Sequence, residues 1–165
     1  MKIKTLRDLF IHQLKDLYSA EKQLLRALPR FVKAASNEEL ATSFEEHLSE
    51  TEQHVERLEQ IFESLGEAKR ADKCEGMEGV LAECERLMDN DIAKEVLDAA
   101  MIGAAQKIEH YEIASYGTAR TFAEILGEED AARLLQMTLD EEIEIDERLT
   151  ELAEEMVTAE TAESE

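Results

Sequence analysis

Residues 40–66 read LATSFEEHLSETEQHVERLEQIFESLG. Along this stretch Leu40, Phe44, His47, Thr51, His54, Leu58, Ile61 and Leu65 recur at alternating steps of four and three. That period puts them on one face of an α-helix. Leu48, Val55 and Phe62 widen the stripe, and Ser36 with Glu39 has the spacing of a capping box ahead of it. Gly66 suits a C-terminal stop. The face is apolar at both ends and polar in the middle, so it asks for partners built to the same plan.

The rest of the chain supplies them. A first helix begins near Thr5, an N-cap with Asp8 three residues on, and its stripe is Leu6, Leu9, Gln13, Leu17, Leu24, Leu28 and Phe31. Pro29 inside it predicts a kink or an early end. A helix starting near Asn90 or Asp91 carries Ile92, Val96, Ala99, Ile102, Gln106, Glu109, Ile113 and Tyr116 on its face. Its Gly103 and Gly117 would permit close helix approach. Gly127 breaks the chain, and Glu128, Glu129 and Asp130 suit the first turn of a last helix. The stripe of that helix is Leu135, Thr138, Glu142, Ile145, Leu149, Leu152 and Met156.

Tight turns near residues 36 and 127 make two antiparallel hairpins. The connector between them, about 24 residues, is long enough to travel the length of a bundle and make the second and third long helices parallel. Met77, Val80, Leu81, Cys84, Leu87 and Met88 repeat within it like a short amphipathic helix. The expected fold is all-α: a four-helix bundle of two antiparallel hairpins joined by a long crossover with a short extra helix. One domain is expected over residues 1–157. The small, acidic tail from Thr158 to Glu165 is expected to be disordered.

Composition agrees and excludes several function classes. The 165 residues are enough for one domain with a real core, and one Pro, six Gly and no Trp suit an all-helical protein. A formal net charge of −22 argues against nucleic acid, whose phosphates it would repel, and against an anionic membrane surface. There is no run of about 18 apolar residues to span a membrane. Met1 to Phe10 lacks the apolar core of a secretion signal. Cys74 and Cys84 stand outside any CxxC motif and read as reduced, partly buried thiols of a cytosolic, hence cytoplasmic, protein.

The polar positions carry the functional expectation. At about 1.5 Å per residue, distance from each turn sets height in the bundle. Glu21 lies about as far before the first turn as Glu50 and His54 lie after it. Glu109 and Glu112 match Glu142 and Asp146 across the second turn in the same way. The flanking stretches HVERL (54–58) and DERL (146–149) read alike. A lone seam Glu is usually a register-setting polar residue, and a lone seam His a hydrogen-bonded core residue. Seven such groups at one level differ, because a carboxylate in a dry core costs several kcal/mol unless paired. Lys15, Lys22, Lys107, Arg57 and Arg148 lie away from the seam centres, although shared protons would compensate in part.

The expected ligand set is therefore Glu21, Glu50, His54, Glu109, Glu112, Glu142 and Asp146, around two metal ions bridged by Glu21 and Glu109. Carboxylates with an imidazole suit iron first and manganese second. His47, one heptad from His54, is expected in the core or behind a ligand. Tyr18 and Tyr116 lie near enough to hydrogen-bond a ligand, though buried tyrosines more often only pack. His12 and His110 are given no role.

The segments LKDLYSAEKQL (14–24), EEHLSETEQHVERLEQIFESLG (45–66), AAQKIEHYEIASYGT (104–118) and LDEEIEIDERLTELAEE (139–155) resemble the YciE/YciF family of stress-associated, rubrerythrin-related proteins. The resemblance covers about residues 3–157, and EHYEIASYGT is its most specific motif. It implies a ferritin-like bundle, a candidate di-metal centre and a homodimer. Glu21 matches the first-helix ligand, and Glu109 with Glu112 the third-helix Glu-x-x-Glu pair. The usual Glu-x-x-His spacing is missing: Glu50 and His54 are four apart with Thr51 where that Glu would stand, and Asp146 or Ile145 replaces the second imidazole. Two principal functions stay open. One is a di-iron carboxylate protein reacting with peroxide or dioxygen. The other is a structural or adaptor bundle with a vestigial site. Passive metal storage is a third reading.

Overall fold

The computed structural model describes residues 3–163, and five helices make up its regular structure: α1 (Leu6–Ala34), α2 (Glu38–Ser64), α3 (Glu75–Met88), α4 (Lys94–Leu126) and α5 (Glu129–Glu163). The long helices α1, α2, α4 and α5 form the bundle. α1 packs on α2, and α4 on α5. The two hairpins close on each other through α2 with α5 and α1 with α4. Neighbours in this ring are antiparallel. α3 lies on the outside against α4 and α1, so the crossover returns the chain to the end where α2 began and makes α2 and α4 parallel.

Local chemistry accounts for most of the ends. Thr5 caps α1 reciprocally with Asp8, whose side chain accepts from the Thr5 amide at 3.0 Å. α1 does not stop early at Pro29 but runs to Ala34. Pro29 faces solvent while its neighbours Leu28 and Phe31 are anchored in the core. The N-cap of α2 is Asn37, not Ser36. Asn37 Oδ1 accepts from the amides of Glu39 and Leu40 at 2.9 and 3.0 Å. Ser36 is taken by Asp98 of α4, which is 2% exposed. The Asp98 carboxylate accepts from the Ser36 amide (2.8 Å), the Ser36 hydroxyl (2.6 Å) and the Asn37 amide (2.9 Å). Gly66 and Gly127 follow α2 and α4 with φ of 68° and 73°. In both turns the glycine amide and the next amide reach back to close a Schellman motif.

Among the described residues α5 meets no such glycine. The stretch from Thr158, expected to be disordered, is helical as far as Glu163, and Ser164 and Glu165 lie outside the described residues. Helix-favouring Ala and Glu continue there without Gly or Pro.

Among the described residues the core is made of two apolar clusters. One holds Phe31, Phe44, Met77, Ile102 and Leu149, near the α1–α2 turn. The other holds Phe10, Leu14, Phe62, Tyr116 and Leu135, at the opposite end. The start of α1 buries Phe10 and Leu14, while the expected Leu9 and Gln13 are only partly buried. α4 likewise buries Asp98 and Met101 and leaves Val96 56% exposed. Gly103 and Gly117 make no close approach. That falls at Gly76, where a Cβ would lie 2.6 Å from Tyr111.

Candidate metal centre

Between the two apolar clusters lies a layer of polar side chains. Glu21 from α1, His47 and His54 from α2, Glu109 and Glu112 from α4, and Glu142 from α5 are 0–3% exposed. Each is on the inward face of a helix whose apolar residues continue above and below it, so packing the Leu and Phe positions buries these groups as well.

The ligand atoms gather into two groups. His47, Glu109, Glu112 and Glu142 form one; Glu21, His54 and Glu142 form the other. In each group one atom per residue lies within 4.8 Å of the others. Glu142 belongs to both. Its Oε1 is 3.1 Å from His54 Nδ1, and its Oε2 is 3.8 Å from His47 Nε2. His54 Nδ1 is also 3.5 Å from Glu21 Oε1, and His47 Nδ1 is 3.4 Å from Glu109 Oε1.

Several of these atoms have no hydrogen-bond partner. Both oxygens of Glu109, Glu112 and Glu142, Glu21 Oε2, His47 Nε2 and His54 Nδ1 are all buried and unsatisfied. Native interiors rarely leave even one such atom. Among the described residues no Lys or Arg pairs with Glu21, Glu109, Glu112 or Glu142. Oxygen donors with one imidazole per group, aimed into one dry space, are a set that could hold a metal ion.

Comparison with known proteins agrees with this architecture. The family described as a domain of unknown function (DUF892) matches residues 5–162. The chain belongs to this family. It is 51% identical over 154 residues to protein YciF of Escherichia coli (strain K12), covering 93% of each sequence. The crystal structure of the E. coli stress protein YciF matches with a TM-score of 0.92 at 50% identity, over 94% of this chain and 99% of that one. YcfI from Rhodopseudomonas palustris, for which a structural role has been suggested, matches with a TM-score of 0.88 at 40% identity, over 90% of this chain and 95% of that one. A Xanthomonas campestris protein with a TM-score of 0.75 at 24% identity shares the fold alone. The resemblance read from the sequence to the YciE/YciF family is thus established, as is the helical bundle.

Within this DUF892 domain the expected ligand set is only partly assembled. Glu21, His54, Glu109, Glu112 and Glu142 meet. Glu50 and Asp146 belong to neither group. Both sit on the flanks of their stripes. Asp146 Oδ1 lies 3.3 Å from His110 Nδ1 and accepts from Gln106 Nε2 at 3.5 Å, on the outer side of α4 and α5. Glu50 is half-buried at the edge, and burial raises its pKa ahead of its carboxylate neighbours. Thr51 is buried but donates to the His47 carbonyl at 2.8 Å, so it replaces no ligand. His47 takes the place expected of Asp146. Its signal was present, since it lies on the same seam as His54. Seven residues, a rise of about 10 Å along α2, separate the two rings and make a shared ion difficult. Two groups joined by Glu142 remove that objection, and the shared residue is Glu142 rather than Glu21 or Glu109.

The electrostatics show how the layer is tolerated without a cation. Burial first, then Glu142, raises Glu109 well above the ordinary carboxylate range; burial, then Glu21, does the same to Glu112. Burial opposes charge on His54, but Glu21, Glu141 and Glu142 overcome it and hold the imidazolium up to about 12. His47 is driven the other way, down to about 4, by burial and by His54. Protons therefore stand where positive charge is needed, on sites that a cation would compete for.

Two residues flank the layer. Tyr116, 1% exposed, donates its hydroxyl to Glu21 Oε1. Burial, then Glu21, pushes its pKa far up. Tyr18 instead donates to Glu59 at 2.7 Å, away from the centre.

Proposed function

We propose that this protein is a ferritin-like di-metal carboxylate protein, with iron as the expected metal and manganese as the second choice, acting on peroxide or dioxygen in a stress response. The observation that carries this is the set of buried, unsatisfied oxygens and ring nitrogens of Glu21, His47, His54, Glu109, Glu112 and Glu142. One ion would be held by His47, Glu109, Glu112 and Glu142, and the other by Glu21, His54 and Glu142. A bound ferrous pair would supply two electrons to a small oxidant. The chain's own part is to gather the donors, exclude bulk water with the apolar clusters on either side, and release the protons held on Glu109, Glu112 and His54. Tyr116 fixes Glu21 through one oxygen and leaves Oε2 free to bind. A homodimer in the cytoplasm remains part of this proposal; among the described residues no helix is long and apolar enough to cross a membrane.

Anaerobic titration with Fe(II) tests the reading. Uptake near two ions per chain, followed by consumption of added peroxide, is expected; stoichiometry near zero would reject it.

A second reading, a structural bundle with a vestigial site, is favoured by the missing Glu-x-x-His spacing. Both imidazoles come from α2, one heptad apart. Under that reading Glu21→Ala and Glu109→Ala leave stability unchanged or raise it, by relieving buried charge, and no metal is bound.

A further inference from the structure

The imidazole of His54 is held from both edges by consecutive residues of α5. Glu142 Oε1 faces Nδ1 at 3.1 Å, and Glu141 Oε2 faces Nε2 at 2.9 Å. Successive residues on a helix point about 100° apart, so only a ring lying between α2 and α5 can touch both. Glu141 is itself anchored. Arg57 Nη2 donates to its Oε1 at 2.8 Å, and Arg57 Nη1 donates both to Oε2 and to the Thr138 hydroxyl at 3.1 Å. Arg57 follows His54 by three residues, and Thr138 precedes Glu141 by three, so each helix offers one turn to the arrangement. The Arg57 side chain is only 12% exposed. His47 has nothing comparable: its Nε2 is buried without a hydrogen-bond partner.

We propose that Glu141, clamped by Arg57, is a positioning residue for the metal centre: it accepts the Nε2–H of His54 and so presents the Nδ1 lone pair to the cation shared with Glu21 and Glu142. This rests on the di-metal reading and deepens it. A carboxylate behind a ligating histidine sets the ring's orientation and strengthens it as a donor. Because only His54 is held in this way, the two ion positions are inequivalent, and Glu141 acts on one of them.

The test uses zinc(II), which is diamagnetic and inert to oxidants, titrated into the full-length protein against a competing chelator. Glu141→Ala should weaken one of two bound ions by about 10- to 100-fold and leave the other unchanged. Glu141→Gln, whose amide oxygen still accepts the Nε2–H, should lose less. Glu144→Gln, which removes a nearby exposed charge without touching His54, should change neither ion. If Glu141→Ala weakens both ions equally, or no more than Glu144→Gln does, the assignment is overturned. A second readout needs no metal. Nitrogen-resolved NMR of the metal-free protein should show a slowly exchanging His54 Nε2 proton, retained in Glu141→Gln and lost in Glu141→Ala. A wild-type chain that binds no zinc would sink the proposed function, and the Nε2 proton would then decide by itself whether Glu141 orients the ring.

Discussion

The Tyr116 hydroxyl of α4 donates to Glu21 Oε1 of α1, joining two helices at the level of the polar layer. Both groups are buried, so neither has water as an alternative partner. Tyr116→Phe should leave a Glu21 oxygen unsatisfied and cost the metal-free protein about 1–3 kcal/mol, measured by urea unfolding. It should also alter cation affinity, since the freed carboxylate is no longer oriented. Unchanged stability and affinity would show that the contact is incidental.

The shared position of Glu142 gives the sharpest ranking of ligand variants. Glu142→Ala should abolish uptake of both ions, and His47→Ala should remove one. Asp146→Asn, by contrast, should leave stoichiometry intact, because that carboxylate faces His110 and Gln106 instead. Metal analysis of protein loaded and then desalted would read all three. An Asp146 variant as damaging as the Glu142 variant would contradict the grouping.

The stability of the metal-free protein should fall as pH rises, with the buried carboxylates setting much of the slope. Glu109 and Glu112 bind protons more tightly folded than unfolded, mainly through burial. Their contribution is complete below 4.5 and is lost as pH rises through their folded values. His54 acts in the same sense, losing its contribution between 6.5 and about 12. The melting temperature of metal-free protein should therefore fall from about pH 5 to about pH 8. Cation affinity should rise over the same interval as the ligands shed protons. The double variant Glu109→Gln, Glu112→Gln should flatten the stability slope; a slope unchanged by it would assign the effect to surface charge.

Asp98 ties the start of α4 to the α1–α2 turn through three hydrogen bonds. Asp98→Ala strips partners from two amides and a hydroxyl and should cost about 3 kcal/mol or more. Asp98→Asn, which keeps one acceptor oxygen, should lose less. Chemical denaturation of both variants checks the order.

Gly76 sits under the Tyr111 ring, and Tyr111 donates to Asp16 Oδ2 at 3.0 Å with Cys74 Sγ 3.0 Å away. Helix propensity alone would favour Gly76→Ala by about 1 kcal/mol. The clash at 2.6 Å should reverse the sign, for a net loss of about 1–2 kcal/mol as α3 loosens from the bundle. A more stable variant would show that Tyr111 moves aside freely.

Much of this protein is present in its sequence. Helical period, the Schellman glycines at 66 and 127, and a connector too long for a hairpin turn were enough for the bundle and its crossover. They also set the level at which Glu21, His54, Glu109, Glu112 and Glu142 meet, because rise per residue converts sequence distance into height. Rotation about each helix axis was not available in the same way. A stripe several residues wide leaves its flanks ambiguous, and only packing against neighbours decides which flank turns inward. That is why Phe10 and Asp98 are buried where Leu9 and Val96 were expected. For the same reason Glu50 and Asp146 fall outside the layer while His47 joins it. Reach across the bundle was also undetermined: that Glu142 lies between two imidazoles, or that Arg57 clamps Glu141 behind His54, depends on which helices become neighbours. Spacing along one chain sets the height of a side chain, but its partners are chosen by the closure of four helices on one another.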